Sequence, residues 1–243
     1  MDLLKDKNYW NSEWVKIFDR YQNDPRFAHY LYAFLESDEK KILEIGAGSF
    51  RDMAKLNKWG VECYGIDFSN QSVEQAKKRF PEYENLIIQA DALQLPFENK
   101  YFDVSYHNGF WSCFSDDEIN LLVSEQHRVT SKRMMVAVHN AHNPSFVEYF
   151  NKLKIDDPLY TARFFTISEV TYFLEKYCYD IQIVPVGKGK KFYEDYLINL
   201  DLGTPENLRK CFNYHQMDLL ESSERLLCIG KVKPKISYST AVK

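Results

Sequence analysis

Short apolar runs alternate with amphipathic stretches along this chain, which is the pattern of a parallel sheet covered by helices on both faces. Seven of the apolar runs have the length of β-strands. They comprise residues 41–45, 61–67, 86–89, 102–104, 133–138, 180–186 and 225–232. The predicted fold class is therefore α/β, and the first predicted strand begins only at residue 41.

The helical stretches carry recognisable start signals. Ser69 is placed to cap a helix, and Ser115-x-x-Glu118 and Thr166-x-x-Glu169 are capping boxes ahead of apolar residues. Two amphipathic helices are predicted before the first strand. Their apolar faces are Trp14, Ile17, Phe18 and Tyr21 in one, and Phe27, Tyr30, Leu31 and Phe34 in the other.

The most distinctive segment, residues 41–51, reads as a buried strand, a tight glycine turn and the start of a helix. Gly46 and Gly48 leave bare backbone for a ligand at the positive end of that helix. Nineteen residues after Gly48, Asp67 ends the second apolar run. An acid at the tip of the neighbouring strand can accept hydrogen bonds from ribose hydroxyls. These residues predict a site for an adenosine-containing cofactor.

The residues after the turn discriminate between such cofactors. A dinucleotide fingerprint needs a small residue at position 51, where the pyrophosphate approaches the helix. Here Phe50 and Arg51 occupy the turn. S-adenosylmethionine consists of an adenosine and a sulfonium-bearing methionine tail, and it has no pyrophosphate to seat. The turn therefore favours S-adenosylmethionine over a nicotinamide dinucleotide.

Two later segments complete a familiar set of motifs. Residues 90–97 read Ala-Asp-Ala-Leu-Gln-Leu-Pro-Phe, and residues 101–109 read Tyr-Phe-Asp-Val-Ser-Tyr-His-Asn-Gly. Together with the acid-x-Gly-x-Gly turn and the acid closing strand two, they make residues 40–140 resemble the class I S-adenosylmethionine-dependent methyltransferases. The resemblance implies a Rossmann-like sheet of seven mostly parallel strands, the last antiparallel.

The resemblance also implies a domain plan. Residues 1–243 are expected to form a single S-adenosylmethionine-binding domain, because no internal repeat or low-complexity linker interrupts them. Residues 1–38 would form an N-terminal helical lid. Residues 187–224 would be an insertion between strands six and seven.

By resemblance, the cofactor would contact residues from four segments. Glu44, Gly46, Ala47 and Gly48 would cradle its methionine part, Asp67 its ribose, and Phe68, Asp91 and Ala92 its adenine, while His107 and Asn108 would line the reaction centre. The alternatives are a place in the core for Phe68 and a turn-bracing role for Asp91. Phe50 replaces a glycine that is frequent in the family and would narrow the methionine end.

The acceptor side is less well defined. His139 and His142 follow strand five, where carboxyl ends of strands meet the ligand crevice, and His139 is the candidate general base. Tyr9, Trp10, Trp111 and His142 are candidate substrate-binding residues. Purely structural roles are the alternative for each of them. No carboxylate with metal-ligand spacing accompanies the histidines, so a metal is not expected.

Composition places the chain among ordinary globular proteins. The net charge of −4 and pI near 5.9 give no footprint for nucleic acid. Five cysteines without paired spacing suggest reduced thiols and a cytoplasmic protein. No apolar run approaches the ~20 residues of a membrane span.

The predicted function is methyl transfer from S-adenosylmethionine to an oxygen or nitrogen of a small polar acceptor. A flexible basic loop at 187–191 suggests a sugar or a phosphorylated biosynthetic intermediate. The Asn-Pro-Pro-Tyr type of motif is missing after strand four, which disfavours nucleic-acid and glutamine acceptors. Alternatives are a protein or RNA methyltransferase, an NAD(P)-dependent reductase and a non-catalytic cofactor-binding module. The oligomeric state is left open.

Overall fold

The computed structural model describes residues 6–23, 26–214 and 219–234. Within these residues, seven strands form one sheet in the order β3-β2-β1-β4-β5-β7-β6. The strands are β1 Lys41–Ile45, β2 Glu62–Asp67, β3 Ile87–Gln89, β4 Phe102–Asn108, β5 Thr130–His139, β6 Cys178–Val186 and β7 Arg225–Val232. β1 to β5 pair in parallel, whereas β7 is antiparallel to both β5 and β6. The Rossmann-like sheet with an antiparallel last strand is confirmed.

Helices cover both faces of this sheet. The α-helices are α1 Lys7–Ile17, α2 Arg26–Phe34, α3 Arg51–Lys58, α4 Asn70–Arg79, α5 Asp116–Val129, α6 Pro144–Leu153, α7 Ile167–Leu174, α8 Lys188–Asn199 and α9 Pro205–Tyr214. Ser69 caps α4, and both predicted capping boxes are present, at α5 and α7. These helix starts confirm that local side-chain chemistry decided where the helices begin.

Two apolar layers sandwich the sheet. On one face α2, α3 and α9 bury residues such as Leu31, Met53 and Phe212 against the strands. On the other face α5 and α7 bury Ile119 and Phe173. Central strands are buried from both sides, as expected of a parallel sheet between helices. The carboxyl ends of β1, β2, β4 and β5 are thereby brought to one edge.

The N-terminal helix α1 lies over that edge. Its Asn11 side-chain oxygen accepts a hydrogen bond from Ser69 at 2.8 Å, and the carbonyl of Trp14 accepts one from Gln75 at 3.0 Å. Ser69 is the N-cap of α4, and Gln75 lies in the middle of that helix. The helix α1 therefore rests on α4, and its Trp14 ring reaches the glycine turn.

One prediction on this part of the chain is wrong. The basic segment 187–191 is not a flexible loop, because α8 begins at Lys188 immediately after Gly187. Gly187 has a φ of 104°, which allows the backbone to turn from β6 into the helix. The glycine-rich composition misled the interpretation, since one of its two glycines serves this turn.

Candidate functional site

The glycine turn between β1 and α3 has the conformation that its sequence requires. Gly46 and Gly48 have φ values of 64° and 54°, in the left-handed region that favours glycine. Aromatic rings also press on both residues. A β-carbon at Gly46 would lie 2.4 Å from the ring of Phe110, and one at Gly48 would lie 2.3 Å from the ring of Trp14. Neither position has room for a side chain.

Asp67 lies at the carboxyl end of β2, as predicted, beside this turn. Its Oδ2 accepts a hydrogen bond from the Gly48 amide and its Oδ1 one from the Ser69 amide, both at 2.9 Å. Burial raises the pKa of Asp67 to about 6, although the backbone hydrogen bonds act in the opposite direction. Each carboxylate oxygen keeps a second lone pair, so the group can still accept hydrogen bonds from a ligand.

A cavity of about 500 Å³ opens at this edge of the sheet. Its walls come from the glycine turn, the ends of β2, β4, β5 and β7, and the helix α1. The lining includes Trp10, Trp14, Ile17, Tyr21, Glu44, Gly46, Ala47, Gly48, Arg51, Asp52, Asp67, Phe68, Asp91, Ala92, Asn108, Phe110, Ser112, Phe114, His139, Phe150, Tyr160 and Arg225. The volume is within the range of small-molecule sites.

Most of the predicted cofactor residues share this cavity. They are Glu44, Gly46, Ala47, Gly48, Asp67, Phe68, Asp91, Ala92 and Asn108. Asp91 also braces its own turn, since its Oδ1 accepts a hydrogen bond from the Leu93 amide at 2.9 Å. Phe68 lines the cavity and is not part of the buried core. The sequence motifs therefore predicted which segments meet, and the structure brings them together.

His107 is the exception, because it does not line the cavity. It lies within β4, fully buried, with its ring 4.9 Å from that of Trp111. Neither ring nitrogen has a hydrogen-bond partner, and burial lowers the pKa of His107 to about 3. Alternate residues of a strand face opposite sides, so Asn108 reaches the cavity and His107 the core.

Three of the predicted acceptor-binding residues also lie outside the cavity lining. Trp111 is fully buried beside Phe165 and Phe173, so it belongs to the core. Tyr9 is not among the cavity residues, whereas the adjacent Trp10 is. His142 lies outside the cavity as well, where its Nε2 accepts a hydrogen bond from the first amide of α7 at 3.1 Å.

Phe50 also behaves differently from the prediction. It is fully buried with a φ of 55°, and it packs on the far side of the turn. A β-carbon at Gly65 would lie 2.6 Å from the Phe50 ring. Phe50 therefore fills space against β2 and does not narrow the cavity.

His139 ends β5 at the cavity wall with only 7% of its surface exposed. Its Nδ1 is hydrogen-bonded to the Ser112 hydroxyl at 2.7 Å, which leaves Nε2 free to meet a ligand. The rings of Phe146, Phe150 and Phe164 surround it. Burial, and to a lesser degree the charge of Arg225, holds the pKa of His139 well below its usual range. The imidazole is therefore neutral at physiological pH.

Two acids, from β1 and α3, line the cavity near the glycine turn. Glu44 Oε2 accepts a hydrogen bond from the Met53 amide at 3.0 Å, and Asp52 Oδ1 one from the Ala28 amide at 2.9 Å. Burial, and next the negative charge of Asp52, raises the pKa of Glu44 well above its usual range. A pair of crowded acids of this kind favours a cationic ligand group nearby.

Several cavity residues were not predicted from the sequence. Tyr21, Phe150 and Tyr160 come from segments without a recognisable motif, and Arg225 is the first residue of the last strand. The one available signal was for Arg225, because a charged residue at the start of a buried strand next to the crevice edge is unusual.

Comparison with known proteins agrees with this picture. The model of the "Methyltransferase domain" family matches residues 43–138. Over 133 residues the chain is 28% identical to the 2-phytyl-1,4-naphtoquinone methyltransferase of Nostoc punctiforme, a match that covers 51% of this chain and 55% of that protein. The match thus spans about half the length of this curated relative.

Solved structures show the same fold. An S-adenosylmethionine-dependent methyltransferase of Archaeoglobus fulgidus superposes with a TM-score of 0.61 at 17% identity, over 88% of this chain and 94% of that one. A Thermotoga maritima protein named as a possible histamine N-methyltransferase superposes with a TM-score of 0.62 at 18% identity, over 93% and 99%. Residues 43–138 therefore match a methyltransferase domain, and the fold is that of S-adenosylmethionine-dependent methyltransferases, which indicates S-adenosylmethionine as the cofactor.

The cavity residues fit this cofactor on their own chemistry. The Asn108 side-chain oxygen is buried without a hydrogen-bond partner, so the cavity wall presents an acceptor that a ligand can satisfy. The crowded acids Glu44 and Asp52 suit the positive charge of a methionine tail. The carboxylate of Asp67 suits a ribose diol.

No helix in the described parts of the chain is long and apolar enough to cross a bilayer. The five cysteines, at positions 63, 113, 178, 211 and 228, all lie in the described parts of the chain and form no disulfide bond there.

Proposed function

We propose that this protein methylates a small acceptor that combines an apolar, ring-sized portion with a hydroxyl or amine group. The observation that carries the proposal is the 500 Å³ cavity, in which the cofactor segments and His139 face one another. Aromatic side chains from α1, from the segment after β4 and from α6 line its acceptor half: Trp10, Phe110, Phe114 and Phe150.

The cofactor would lie along the carboxyl ends of β1 and β2. Glu44 and the glycine turn would hold its methionine part, Asp67 its ribose, and Phe68 and Asp91 its adenine. When bound, S-adenosylmethionine supplies a methyl group whose bond to sulfur breaks as the bond to the acceptor forms, with the sulfur keeping the electron pair. The chain must orient the acceptor and remove its proton.

His139 is placed to remove that proton through Nε2. A neutral imidazole carries one N–H, and Nε2 can accept only if that hydrogen is on Nδ1. The Ser112 hydroxyl, 2.7 Å from Nδ1, can accept this hydrogen and hold the productive tautomer. As an acceptor oxygen attacks the methyl carbon, its proton would pass to Nε2 and leave a neutral ether and an imidazolium. Ser112 would act as a positioning residue.

The helix α1 would exclude water from the reaction. Trp14 contacts the glycine turn, and its ring stacks on that of Trp10 with centroids 6.1 Å apart. Both rings line the cavity. An enclosed, dry site strengthens the electrostatic interactions on which orientation depends. This placement supports a lid role for the N-terminal helices.

The preference for a phosphorylated or sugar acceptor loses its basis. It rested on a flexible basic loop at 187–191, and this segment begins the helix α8. The curated relative is named for a naphthoquinone acceptor, which together with the aromatic wall favours a ring-bearing acceptor here.

The test is a turnover assay with a panel of small hydroxylated and amine-bearing aromatic compounds. Release of S-adenosylhomocysteine is measured, and its binding is measured separately by titration calorimetry. His139→Ala is expected to lower kcat by about 10²–10⁴-fold with cofactor affinity unchanged, because a positioned base contributes that much. Ser112→Ala should lower kcat less. His142→Gln is the matched control, since this histidine lies outside the cavity.

The low pKa of His139 adds a pH signature. A base is active when unprotonated, so kcat should stay flat as the pH falls from 8 to 6.5. Full activity of His139→Ala on every accepted compound would remove its role as base. Binding of S-adenosylhomocysteine without turnover on any compound would instead favour a non-catalytic module.

A further inference from the structure

Arg225 has no role in the methyl transfer proposed above, yet it lines the cavity next to the candidate base. It is the first residue of β7, and its Cα is paired directly with that of His139 across the antiparallel β5–β7 ladder. Residues paired in this way project from the same face of a sheet, with β-carbons about 4.5–5.5 Å apart. The sheet register therefore sets a guanidinium beside the candidate base.

The charge of Arg225 is not neutralised at short range. Among the described residues it forms no ion pair, and its hydrogen bond is a long one, 3.5 Å, to the carbonyl of Glu224. The Glu224 carboxylate and the hydroxyls of Tyr21 and Tyr30 influence it only at longer range. Its guanidinium carbon lies 5.7 Å from the centre of the Phe146 ring, a cation–π contact. Burial lowers the pKa of Arg225, but an arginine keeps its charge.

A second arginine faces the same space. Arg51, at the start of α3, donates to the carbonyl of Tyr21 at 2.5 Å and lies 3.5 Å from the Asp52 carboxylate. Asp52 offsets part of its charge. Arg225 and Arg51 are near enough to repel each other, since each charge disfavours the other. The Tyr21 ring lies against Arg51, and both arginines oppose the effect of burial on its hydroxyl.

Like charges facing one cavity are costly to bury, and a bound anion would relieve that cost. A guanidinium matches a carboxylate or phosphate with two parallel hydrogen bonds, which gives it direction as well as charge. The cavity that Arg225 lines also has aromatic walls, which include Phe150 and Tyr160. A small inorganic anion could pair with the arginine but would make no contact with the aromatic side chains of these walls.

From this geometry we infer that the acceptor is an amphipathic anion, with a ring against the aromatic wall and an acidic group on Arg225. The inference rests on the proposed function, because it describes the acceptor of the same cavity. The acidic group would place the ring beside His139, since the two side chains are neighbours in the ladder.

Such an anion would also assist the base. The charge of Arg225 is one of the two influences that keep His139 unprotonated. An acidic group paired with Arg225 would cancel that influence and stabilise the imidazolium formed during transfer. An acidic acceptor would therefore be activated more readily than a neutral one of the same shape.

The test uses two fluorescent probes that share one skeleton. 8-Anilinonaphthalene-1-sulfonate is anionic, and N-phenyl-1-naphthylamine is its neutral counterpart. Both are titrated into the full chain, with and without S-adenosylhomocysteine. Arg225→Gln should weaken binding of the anionic probe by roughly 10–100-fold, the usual worth of a charged hydrogen bond, and leave the neutral probe within about twofold. Arg225→Lys should recover part of the loss.

Arg79→Gln is the matched control, because Arg79 is exposed on α4 and its loss should change neither affinity. Displacement of the anionic probe by benzoate or by phenyl phosphate, with benzamide as the neutral comparison, identifies the preferred acid. Near-ultraviolet circular dichroism checks that Arg225→Gln remains folded.

The inference is overturned if Arg225→Gln weakens both probes equally or neither, or if the wild type binds no anionic probe. These outcomes are separate from those of the proposed function. S-adenosylhomocysteine binding, measured by calorimetry, can succeed while charge selection fails, and the probes report charge selection even without the cofactor.

Discussion

At the scale of single residues, burial decides which titratable groups can serve a ligand. Asp67 and His107 are both nearly or fully buried near strand ends, and burial shifts both pKa values toward the neutral form. Asp67 faces the cavity and receives two backbone hydrogen bonds. His107 faces the core and receives none. Asp67 is therefore suited to bind a ligand, whereas the unsatisfied nitrogens of His107 lower the stability of the folded protein.

Asp67→Asn should lower affinity for S-adenosylhomocysteine by about 1–3 kcal/mol, because ribose hydroxyls lose a charged acceptor. Asparagine keeps an acceptor oxygen for only one of the two backbone amides, so near-ultraviolet circular dichroism of the variant checks that the turn is retained. In the wild type, affinity should fall as the pH drops below about 6, where the Asp67 carboxylate takes up a proton. Calorimetry between pH 5 and 8 measures both effects.

The control for Asp67 is Glu82→Gln, an exposed acid on another segment. Its affinity and pH profile should match the wild type. An Asp67→Asn variant that binds as tightly as the wild type would exclude the ribose contact.

His107→Leu should be at least as stable as the wild type at pH 7.5, because it removes two unsatisfied nitrogens from the core. The unfolded chain protonates this histidine near pH 6.5, whereas the folded protein resists protonation until about pH 3. Protonation of the unfolded chain therefore lowers the free energy of unfolding of the wild type as the pH falls from 6.5 toward 3. The advantage of the variant should widen by about 2 kcal/mol at pH 5.

Urea unfolding of both proteins at pH 7.5 and pH 5 provides the measurement. A difference in stability that does not change with pH would show that His107 titrates normally in the folded protein.

At the scale of elements, short side-chain signals decide where helices begin, and strand register decides what meets at the site. The capping box of α7 is an example. The Thr166 hydroxyl accepts from the Glu169 amide at 3.2 Å, and the Glu169 carboxylate accepts from the Thr166 amide at 2.7 Å. Arg163 then bridges Glu169 to Asp116 of α5, so the start of one helix is fastened to its neighbour.

Thr166→Ala should lower the free energy of unfolding by about 1 kcal/mol, because one amide at the start of α7 loses its acceptor. Thr171→Ala, within the same helix, removes the same atoms without a cap and should change stability by less than about 0.5 kcal/mol. Denaturant midpoints of both variants give the comparison. Equal effects of the two substitutions would show that the cap contributes nothing.

At the scale of the whole molecule, the cavity is made by elements that are far apart in the chain. The helix α1, the glycine turn, the end of β5 and the start of β7 each supply one wall. A ligand that touches all of them must stabilise the folded state as a unit, since the unfolded chain cannot assemble these contacts.

S-adenosylhomocysteine at 100 times its dissociation constant should therefore add about 2.7 kcal/mol and raise the melting temperature by roughly 5–10 °C. NADH at the same concentration should give no shift, because Arg51 stands at the turn position where a dinucleotide site needs a small residue. Thermal unfolding followed by circular dichroism measures both. A larger shift with NADH would assign the cavity to a dinucleotide.

The fold was predictable from the sequence because its signals are local. The seven apolar runs, the capping residues and the left-handed glycines each express the conformational preference of a few adjacent residues. The order of these elements along the chain then predicts a Rossmann-like sheet in which the carboxyl ends of the parallel strands share one edge. The same signals brought Asp67, Asp91 and Asn108 to one cavity, because each lies at or shortly after the end of a predicted strand. They failed at 187–191, where a glycine-rich composition concealed a helix.

The acceptor half of the site was decided only by tertiary structure. Whether a residue after a strand faces the cavity or the core depends on the strand's exact end, and His107 and Trp111 differ from Asn108 and Phe110 by a single position. The pairing of Arg225 with His139 depends on the register of two strands more than 80 residues apart in the chain. The register between distant strands depends on how all the strands and helices pack together, so no local sequence pattern predicts it.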